Sequence, residues 1–257
     1  MTWKEKWIAF CTLTRREVWR VFLVWLHAIL PPAITMTLYF IIFGEFVGRH
    51  ITNIHGFTYM QYIAPGLIIM PAITAAYSNT ATSVYMAKFQ RSIEEILVSP
   101  MPNQIILYGF LMGSLFRAFL MTIITMIVAL FFTHLHVFSF MLLFLTVFLS
   151  TIFFGLIGFT NGLFARKFDE VSFVPVFILN PLTYLGGVFY SVQSLPSLWY
   201  HISLFNPVLY IVDAFRYGML GFANTNIIIA FLVMFGLTIL MFILNLYLLK
   251  KGSGIRQ

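Results

Sequence analysis

The stretch KFQRSIEEILVSPMPN, Lys88 to Asn103, is a polar island in a chain made largely of apolar runs, several of them long enough to cross a lipid bilayer. Read as a helix, it has apolar residues at i, i+4, i+7 and i+8, which form one stripe. These residues are Phe89, Ile93, Ile96 and Leu97. The other face carries the charged residues Arg91, Glu94 and Glu95. A short amphipathic helix of this kind is typical of an element that docks onto a soluble partner.

Composition places the whole chain in the membrane. Of its 257 residues, 61% are hydrophobic and only 9% are charged, which excludes an ordinary soluble globular domain. The net charge of +7 does not indicate nucleic-acid binding, because basic residues of membrane proteins collect in cytoplasmic loops. Cys11 is the single cysteine, so neither an intramolecular disulfide nor a cysteine-based metal site is expected.

The apolar runs on either side of the island predict an all-α polytopic membrane protein, with residues 1–257 forming a single transmembrane domain. Basic and aromatic residues in 1–20 suit an amphipathic helix lying in the membrane interface. Six spans follow, with residues 88–103 between the second and the third. The predicted spans are 21–43, 60–87, 104–132, 137–164, 171–190 and 226–249.

The number of spans near the C-terminus depends on a long uncharged gap. No charged residue lies between Glu170 and Asp213, a gap of 42 residues. As a helix it would be about 63 Å long, roughly twice the thickness of the membrane core. Either two spans fill this gap, or one span is followed by a helical hairpin, residues 191–221, that dips into the membrane and returns.

Counting positive charges favours the hairpin. In that topology both termini are cytoplasmic, and 12 of the Lys and Arg residues lie inside while Arg49 and Arg216 lie outside. The inside residues are Lys4, Lys6, Arg15, Arg16, Arg20, Lys88, Arg91, Arg166, Lys167, Lys250, Lys251 and Arg256. The polar loop of residues 44–59, which also holds His50 and His55, is then external.

The hairpin carries its own local signals. Asn206 followed by Pro207 is a helix N-cap with proline at the first helical position, and Gly218 or Gly221 can close that helix. Pro196 marks the preceding turn. Non-spanning helices at membrane depth are tolerated where protein or a water-filled cavity surrounds them, so the hairpin is expected to line an outer mouth.

Motifs for chemistry within the chain are missing from the sequence. It has no GxxxxGK[ST] phosphate loop, no HExxH or GxSxG motif, and no metal-spaced Cys/His set. We therefore expect no catalytic residue, metal or cofactor in this chain. The predicted spans also lack Asp and Glu, which disfavours a gradient-driven carrier or channel. An intramembrane enzyme or an assembly scaffold is a further alternative, which the missing nucleophile–base or metal constellation disfavours.

Arg117 is the only charged residue deep in a predicted span. Burying it is costly, so it should face the bundle or a cavity, where it could attract an anionic group in a transport pathway. The alternatives are pairing with backbone carbonyls or snorkelling to lipid phosphates. In the fourth span, Gly155, Gly158 and Gly162 have the small-xxx-small spacing of closely packed helices.

Two stretches resemble the ABC-2-type exporter permeases, and the resemblance extends over essentially the whole chain. The first is NPLTYLGGVFYSVQSLPSLWYHISLFNPVLYIVDAFRYGMLG, residues 180–221, with Leu195-Pro196, Asn206-Pro207, Arg216 and Gly221 in the pattern of that family. In that pattern a proline-broken fifth span leads into the Leu-Pro turn. The second is the polar island, where an arginine precedes an acidic helix and then prolines: Arg91, Glu94, Glu95, Leu97, Pro100 and Pro102.

The resemblance implies a half-size permease of the bacterial cytoplasmic (inner) membrane. It would pair with a second copy, which favours a homodimer, and with two cytoplasmic ATPase subunits that bind ATP and Mg²⁺. Membrane lipids are further partners, and no nucleic acid is implied. Residues 89–97 would be the coupling helix, with Glu94 and Glu95 contacting the ATPase. The alternative without a partner is a solvated cytoplasmic turn whose charges only set the membrane topology. Drugs, lipids and lipid-linked glycans all remain open as substrates.

Overall fold

The computed structural model describes residues 2–48, 54 and 56–252, without the side chains of His27, Glu45 and Leu97. These residues form eleven α-helices: α1 Trp3–Leu23, α2 Trp25–Tyr39, α3 Tyr59–Phe89, α4 Ser92–Val98, α5 Asn103–Leu130, α6 Phe140–Phe164, α7 Phe168–Val174, α8 Asn180–Leu185, α9 Ser197–Leu204, α10 Pro207–Leu220 and α11 Ile227–Lys251. Two π-helical segments, Phe40–Val47 and Pro175–Leu179, and a 3₁₀ turn, Val192–Ser194, complete the helical structure.

The N-terminal helix and the first predicted span meet at a bend. Thr2 and Glu5 form a reciprocal capping box at the start of α1, and the helix ends at Val24, whose φ of −110° is non-helical. The segments Trp3–Leu23 and Ala28–Gly44 are bent by 58°. The predicted boundary at residue 20 therefore falls one turn before the break in the structure.

Four described helices are long and apolar enough to cross a membrane: α3, α5, α6 and α11. The bent pair of α1 and α2 would bring the number to five. The range 171–190, predicted as one span, is instead divided among α7, the π-helical segment and α8. Of the predicted outer loop, Arg49, His50 and His55 lie outside the described residues, and so does Arg256 near the C-terminus.

The centre of the bundle is α3. Most of its residues are buried on every side, and it packs chiefly against α5 and α6. A helix that is apolar all round belongs in the interior of a bundle, which explains why α3 shows no single apolar face. The other helices are arranged around it.

Two glycines of α6 allow its close approach to α3. A Cβ atom built on Gly158 would collide with the carbonyl oxygen of Tyr77, and one on Gly162 would lie 2.7 Å from the carbonyl oxygen of Ala81. Backbone atoms cannot move aside as side chains do, so only glycine fits at these positions. The predicted close packing of the fourth span is confirmed.

We expect Gly158→Leu to destabilise the bundle by about 1–3 kcal/mol or more, because the added side chain overpacks the α3–α6 contact. Thermal unfolding of the purified protein in detergent, followed by size-exclusion chromatography, measures this loss. Gly236→Leu is the matched control, since a Cβ there meets nothing within 4 Å. Equal melting temperatures for the two variants would contradict the packing argument.

Two ends of the bundle are defined by contacts along α3. At its N-terminus the Tyr59 hydroxyl donates to the Phe189 carbonyl at 3.0 Å. At its C-terminus Lys88 Nζ donates to the Leu163 and Ala165 carbonyls at 2.8 and 2.6 Å. We call these the hairpin end and the α4 end respectively, since α9 and α10 follow Phe189 and α4 follows Lys88.

Candidate functional site

The α4 end begins with a sharp change of backbone direction at Arg91. This residue has φ +58°, and it is the only non-glycine residue with positive φ among those described. A left-handed conformation costs a side-chain-bearing residue about 1–2 kcal/mol, so the surrounding contacts must hold it. The turn separates α3 from α4, and the predicted helix of residues 89–97 begins three residues later, at Ser92.

The apolar stripe predicted for this helix is only partly retained. Ile93 is buried and Ile96 partly buried, in a cluster that also contains Leu13 of α1 and Ile106 of α5. Phe89 belongs to α3 instead, 73% exposed and stacked on Tyr85 at 6.2 Å between ring centroids. The side chain of Leu97 lies outside the described residues.

The charged face of α4 points away from the bundle. Arg91, Glu94 and Glu95 are all exposed, and Val98 at the end of the helix is 86% exposed. Within the described part of the chain, neither glutamate forms an ion pair. The helix therefore has its apolar side anchored while its two carboxylates are available to a partner.

Lys88, the first residue of the polar island, forms contacts within the helical bundle. Its ammonium group donates to two carbonyls at the C-terminus of α6, where four carbonyls lack intrahelical donors. A cation is also favoured there by the helix dipole. Lys88 thus ties the end of α3, immediately before the α4 turn, to the end of α6.

A second polar contact at this end involves Glu17, which sequence reasoning did not single out. Glu17 is only 1% exposed, and its carboxylate lies 3.0 Å from Arg16 and 3.1 Å from Arg20. It also accepts a hydrogen bond from Ser83 of α3 at 2.5 Å. Arg20 in turn donates to the carbonyl of Asn79 at 2.9 Å. This α1–α3 ion-pair cluster fixes the N-terminal helix to the centre of the bundle.

The same helix is held against α5. A Cβ atom on Gly109 would meet the Leu13 side chain, and one on Gly113 would lie 2.8 Å from Cβ of Glu17. Buried residues of α1, α3, α4 and α5 belong to one apolar cluster. The sequence did contain a signal for the Glu17 contacts, because Glu17 lies one residue after Arg16 and three residues before Arg20.

Glu17→Ala is expected to destabilise the protein by about 1–3 kcal/mol, because it removes the buried acceptor of Ser83 and the ion-pair partner of Arg16 and Arg20, which are partly exposed. The yield of monodisperse protein and its melting temperature measure the effect. Glu5→Ala serves as the control, an exposed acid of the same helix with a capping contact worth about 1 kcal/mol. If both variants unfolded at the same temperature, the cluster would not be an anchor.

Arg117 lines a groove between α2, α3 and α5 with a volume of about 270 Å³. Its walls are mostly apolar, and three of the lining residues are prolines. The apolar lining residues are Ala28, Pro31, Pro32, Met36, Met70, Pro71 and Ala75, and the lining residues with a hydroxyl group are Thr35, Thr74 and Ser78. The Nε atom of Arg117 is buried without a hydrogen-bond partner among the described residues. The expectation that this residue faces a cavity agrees with the structure, and pairing with a backbone carbonyl is not seen there.

At the hairpin end the predicted caps of α10 are confirmed. The Asn206 side chain accepts from the Val208 amide at 2.9 Å, Pro207 is the first helical residue, and Gly221 ends the helix with φ +69°. Gly218, the other candidate for closing the helix, lies inside α10 against Leu143. Pro196 stands immediately before α9, at the predicted turn.

Arg216 is buried, although counting charges placed it with the external residues. It is 0% exposed and lies 2.7 Å from Asp213, one helical turn earlier in α10. Its guanidinium also donates to the Gly187 carbonyl at 2.6 Å and stacks over the Tyr62 ring at 4.3 Å. Arg216 therefore joins α10, the turn after α8, and α3.

The carboxylate of Asp213 completes this Arg216 cluster. It accepts from Asn224 Nδ2 at 3.1 Å and from the Thr225 amide at 2.9 Å, so the connection between α10 and α11 is held too. Sequence reasoning missed Asp213, Asn224 and Tyr62 as partners. The i, i+3 spacing of Asp213 and Arg216 was the available signal.

Comparison with known proteins gives a consistent result. Residues 8–220 match the family model described as ABC-2 type transporter. The chain is 43% identical over 251 residues to the Inner membrane transport permease YadH of Escherichia coli (strain K12), with 98% of each chain covered. It is 24% identical over 240 residues to Nodulation protein J of Rhizobium leguminosarum bv. viciae, with 91% of this chain and 93% of that one covered.

Proposed function

The chain belongs to the ABC-2 type transporter family, and we propose that it is the membrane-spanning permease subunit of an ATP-driven exporter. The relative with 98% coverage is named a transport permease of the inner membrane, which supports the same role and location for this chain. Two copies would form a translocation pathway between them and bind two ATPase subunits.

For the topology we propose six spans with both termini in the cytoplasm. The bent pair of α1 and α2 contributes the first span, and the broken run of α7, the π-helical segment and α8 contributes the fifth. Breaks of this kind are tolerated at membrane depth where protein surrounds them. The excess of Lys and Arg at the α4 end and the termini supports this orientation, in which α9 and α10 form an external hairpin.

The exposed acidic face of α4 is the observation that carries the coupling proposal. A chain without a phosphate loop needs a contact through which an ATPase can move it. Glu94 and Glu95 are exposed and form no ion pair with any described residue, while Ile93 is buried among residues of neighbouring helices. Together they form a helix with one side for a partner and one side fixed to the bundle. We therefore assign α4, which includes Leu97, as the coupling helix, with Phe89 and Arg91 immediately before it.

The groove at Arg117 supports pairing with a second copy. Arg117 lies near the middle of α5, where contact of a charged group with lipid is costly. A second copy covering α2 and α3 would place the two grooves on either side of a shared, protein-lined pathway. ATP binding would then pull on both coupling helices and move the bundles between inward-open and outward-open states.

Reconstitution tests the proposed function against a gradient-driven carrier or channel. The chain and its co-purified ATPase in liposomes should hydrolyse ATP and accumulate a transported dye only when ATP is present. Transport by the chain alone, driven by an ion gradient and without ATP, would overturn the exporter proposal.

A further inference from the structure

We propose that the groove at Arg117 binds the anionic headgroup of an amphiphile, a molecule with a phosphate or carboxylate group on an apolar tail. That this amphiphile is the exported substrate rests on the proposed function. The binding itself depends only on the groove.

The charge of Arg117 is not used within the described residues. It forms no ion pair and no hydrogen bond there, whereas Arg20 pairs with Glu17 and Arg216 pairs with Asp213. A guanidinium in a mostly apolar groove needs a negatively charged or hydrogen-bonding partner, because leaving it alone costs several kcal/mol. An anion entering from outside the chain would supply that partner.

Snorkelling does not satisfy this charge. Arg117 is 14 residues from the start of α5 at Asn103 and 13 from its end at Leu130. These separations correspond to about 20 Å of helix on each side, well beyond the length of an arginine side chain. Snorkelling relieves long side chains near helix ends, which is not the position of this residue.

The walls of the groove favour an amphiphile over a polar solute. The hydroxyl of Thr35 already donates to the Pro31 carbonyl at 2.9 Å, and that of Thr74 donates to the Met70 carbonyl at 3.3 Å. Apart from Arg117 and the Ser78 hydroxyl, the rest of the wall is apolar, so a sugar or a nucleotide would leave many of its own polar groups without partners. An apolar tail, in contrast, gains from contact with the methionine and proline side chains.

The size of the groove fits a headgroup rather than a whole lipid. Its volume is about 270 Å³. The headgroup and the first part of the tail can occupy this space, while the rest of the tail extends into the membrane.

Photolabelling tests the site in the full chain, purified into nanodiscs without an ATPase. The probes are phosphatidylglycerol and phosphatidylcholine that carry the same diazirine acyl chain. Labelling of peptides containing Met36 or Met70 should favour the anionic probe by roughly tenfold or more. Arg117→Gln should remove this preference and Arg117→Lys should keep most of it. Labelling near exposed Ile228 of α11 should not change, and serves as the internal reference.

Several results would overturn the inference. One is equal labelling by the two probes in the wild-type chain, and another is an unchanged preference in Arg117→Gln. If millimolar inorganic phosphate abolished labelling, the site would bind free anions instead of amphiphiles. If Arg117→Gln does not fold, the probe preference of the wild-type chain and the phosphate competition still test whether the groove binds an anionic amphiphile. Since no ATPase is present, failure here is distinct from failure of the exporter proposal.

Discussion

Replacing Arg216 with leucine is expected to remove most of the folded protein. The guanidinium is fully buried, and its loss leaves the Asp213 carboxylate buried without a cation to pair with among the described residues. Removing one partner of a buried pair costs about 3–5 kcal/mol, against a total stability of about 5–15 kcal/mol. The turn at Gly187 loses its donor as well. Size-exclusion chromatography and thermal unfolding in detergent measure the outcome.

A cycle of variants separates the ion pair from general disruption. Arg166→Leu removes an exposed arginine and should change stability by less than about 0.5 kcal/mol. Asp213→Leu should also be severe, and the double variant should be less destabilised than the two single variants added together. Strict additivity would show that the two side chains act separately and would contradict the account of the Arg216 cluster.

Reversing the charge of Glu94 and Glu95 to lysine is expected to lower affinity for the ATPase by about tenfold or more. A charge placed opposite a like charge in an interface costs several kcal/mol, and the proposed groove on the ATPase must complement two carboxylates. Both glutamates are exposed, so the amount and melting temperature of the permease itself should hardly change. ATP hydrolysis by the reconstituted complex, titrated with ATPase, gives the affinity.

The matched control for this double reversal is Glu5→Lys with Asp169→Lys. Both of these acids are exposed, and the variant adds the same charge to the chain at positions outside α4. Its coupling should remain close to that of the wild type. If the two double variants lost activity equally, net charge would explain the effect and α4 would not be the contact.

The features predicted correctly from the sequence are those set by residues close together in the chain. Asn206, Pro207 and Gly221 cap a helix by contacts within a few positions, so local sequence determines their roles. Gly158 follows the same logic, because small-residue spacing reflects the surface of a single helix. The burial of Ile93 and Ile96 likewise follows from helical periodicity.

The features missed depend on partners far along the chain. Glu17 accepts a hydrogen bond from Ser83, and Lys88 donates to the carbonyls of residues 163 and 165. These partners are too far away in the chain for a local sequence pattern to indicate them. The burial of Arg216 was not predicted, because counting charges assigns a residue to a side of the membrane and gives no information on its exposure. The Arg216 partners Gly187 and Tyr62 come from two other segments.

The family resemblance implies a proline-broken fifth span, and residues 171–190 are divided accordingly, but the length of the run alone did not predict the break. The run is uncharged and long enough for one span, and its length gives no sign of a break. Pro175 and Pro181 each remove a backbone donor, and Gly187 with φ +72° ends the segment in a turn. Proline was visible in the sequence, but the contacts that stabilise the broken form come from α3 and α10.

Site-specific photocrosslinking tests most directly the claim that α4 binds the ATPase. A photoreactive phenylalanine analogue placed at Val98, 86% exposed at the α4 end, is compared with one at Phe205, 91% exposed at the hairpin end. In native membranes the probe at position 98 should crosslink to an ATPase with a GxxxxGK[ST] motif, and the probe at position 205 should not. An ATPase adduct only from position 205, or none from position 98 in a complex that still hydrolyses ATP, would contradict the account.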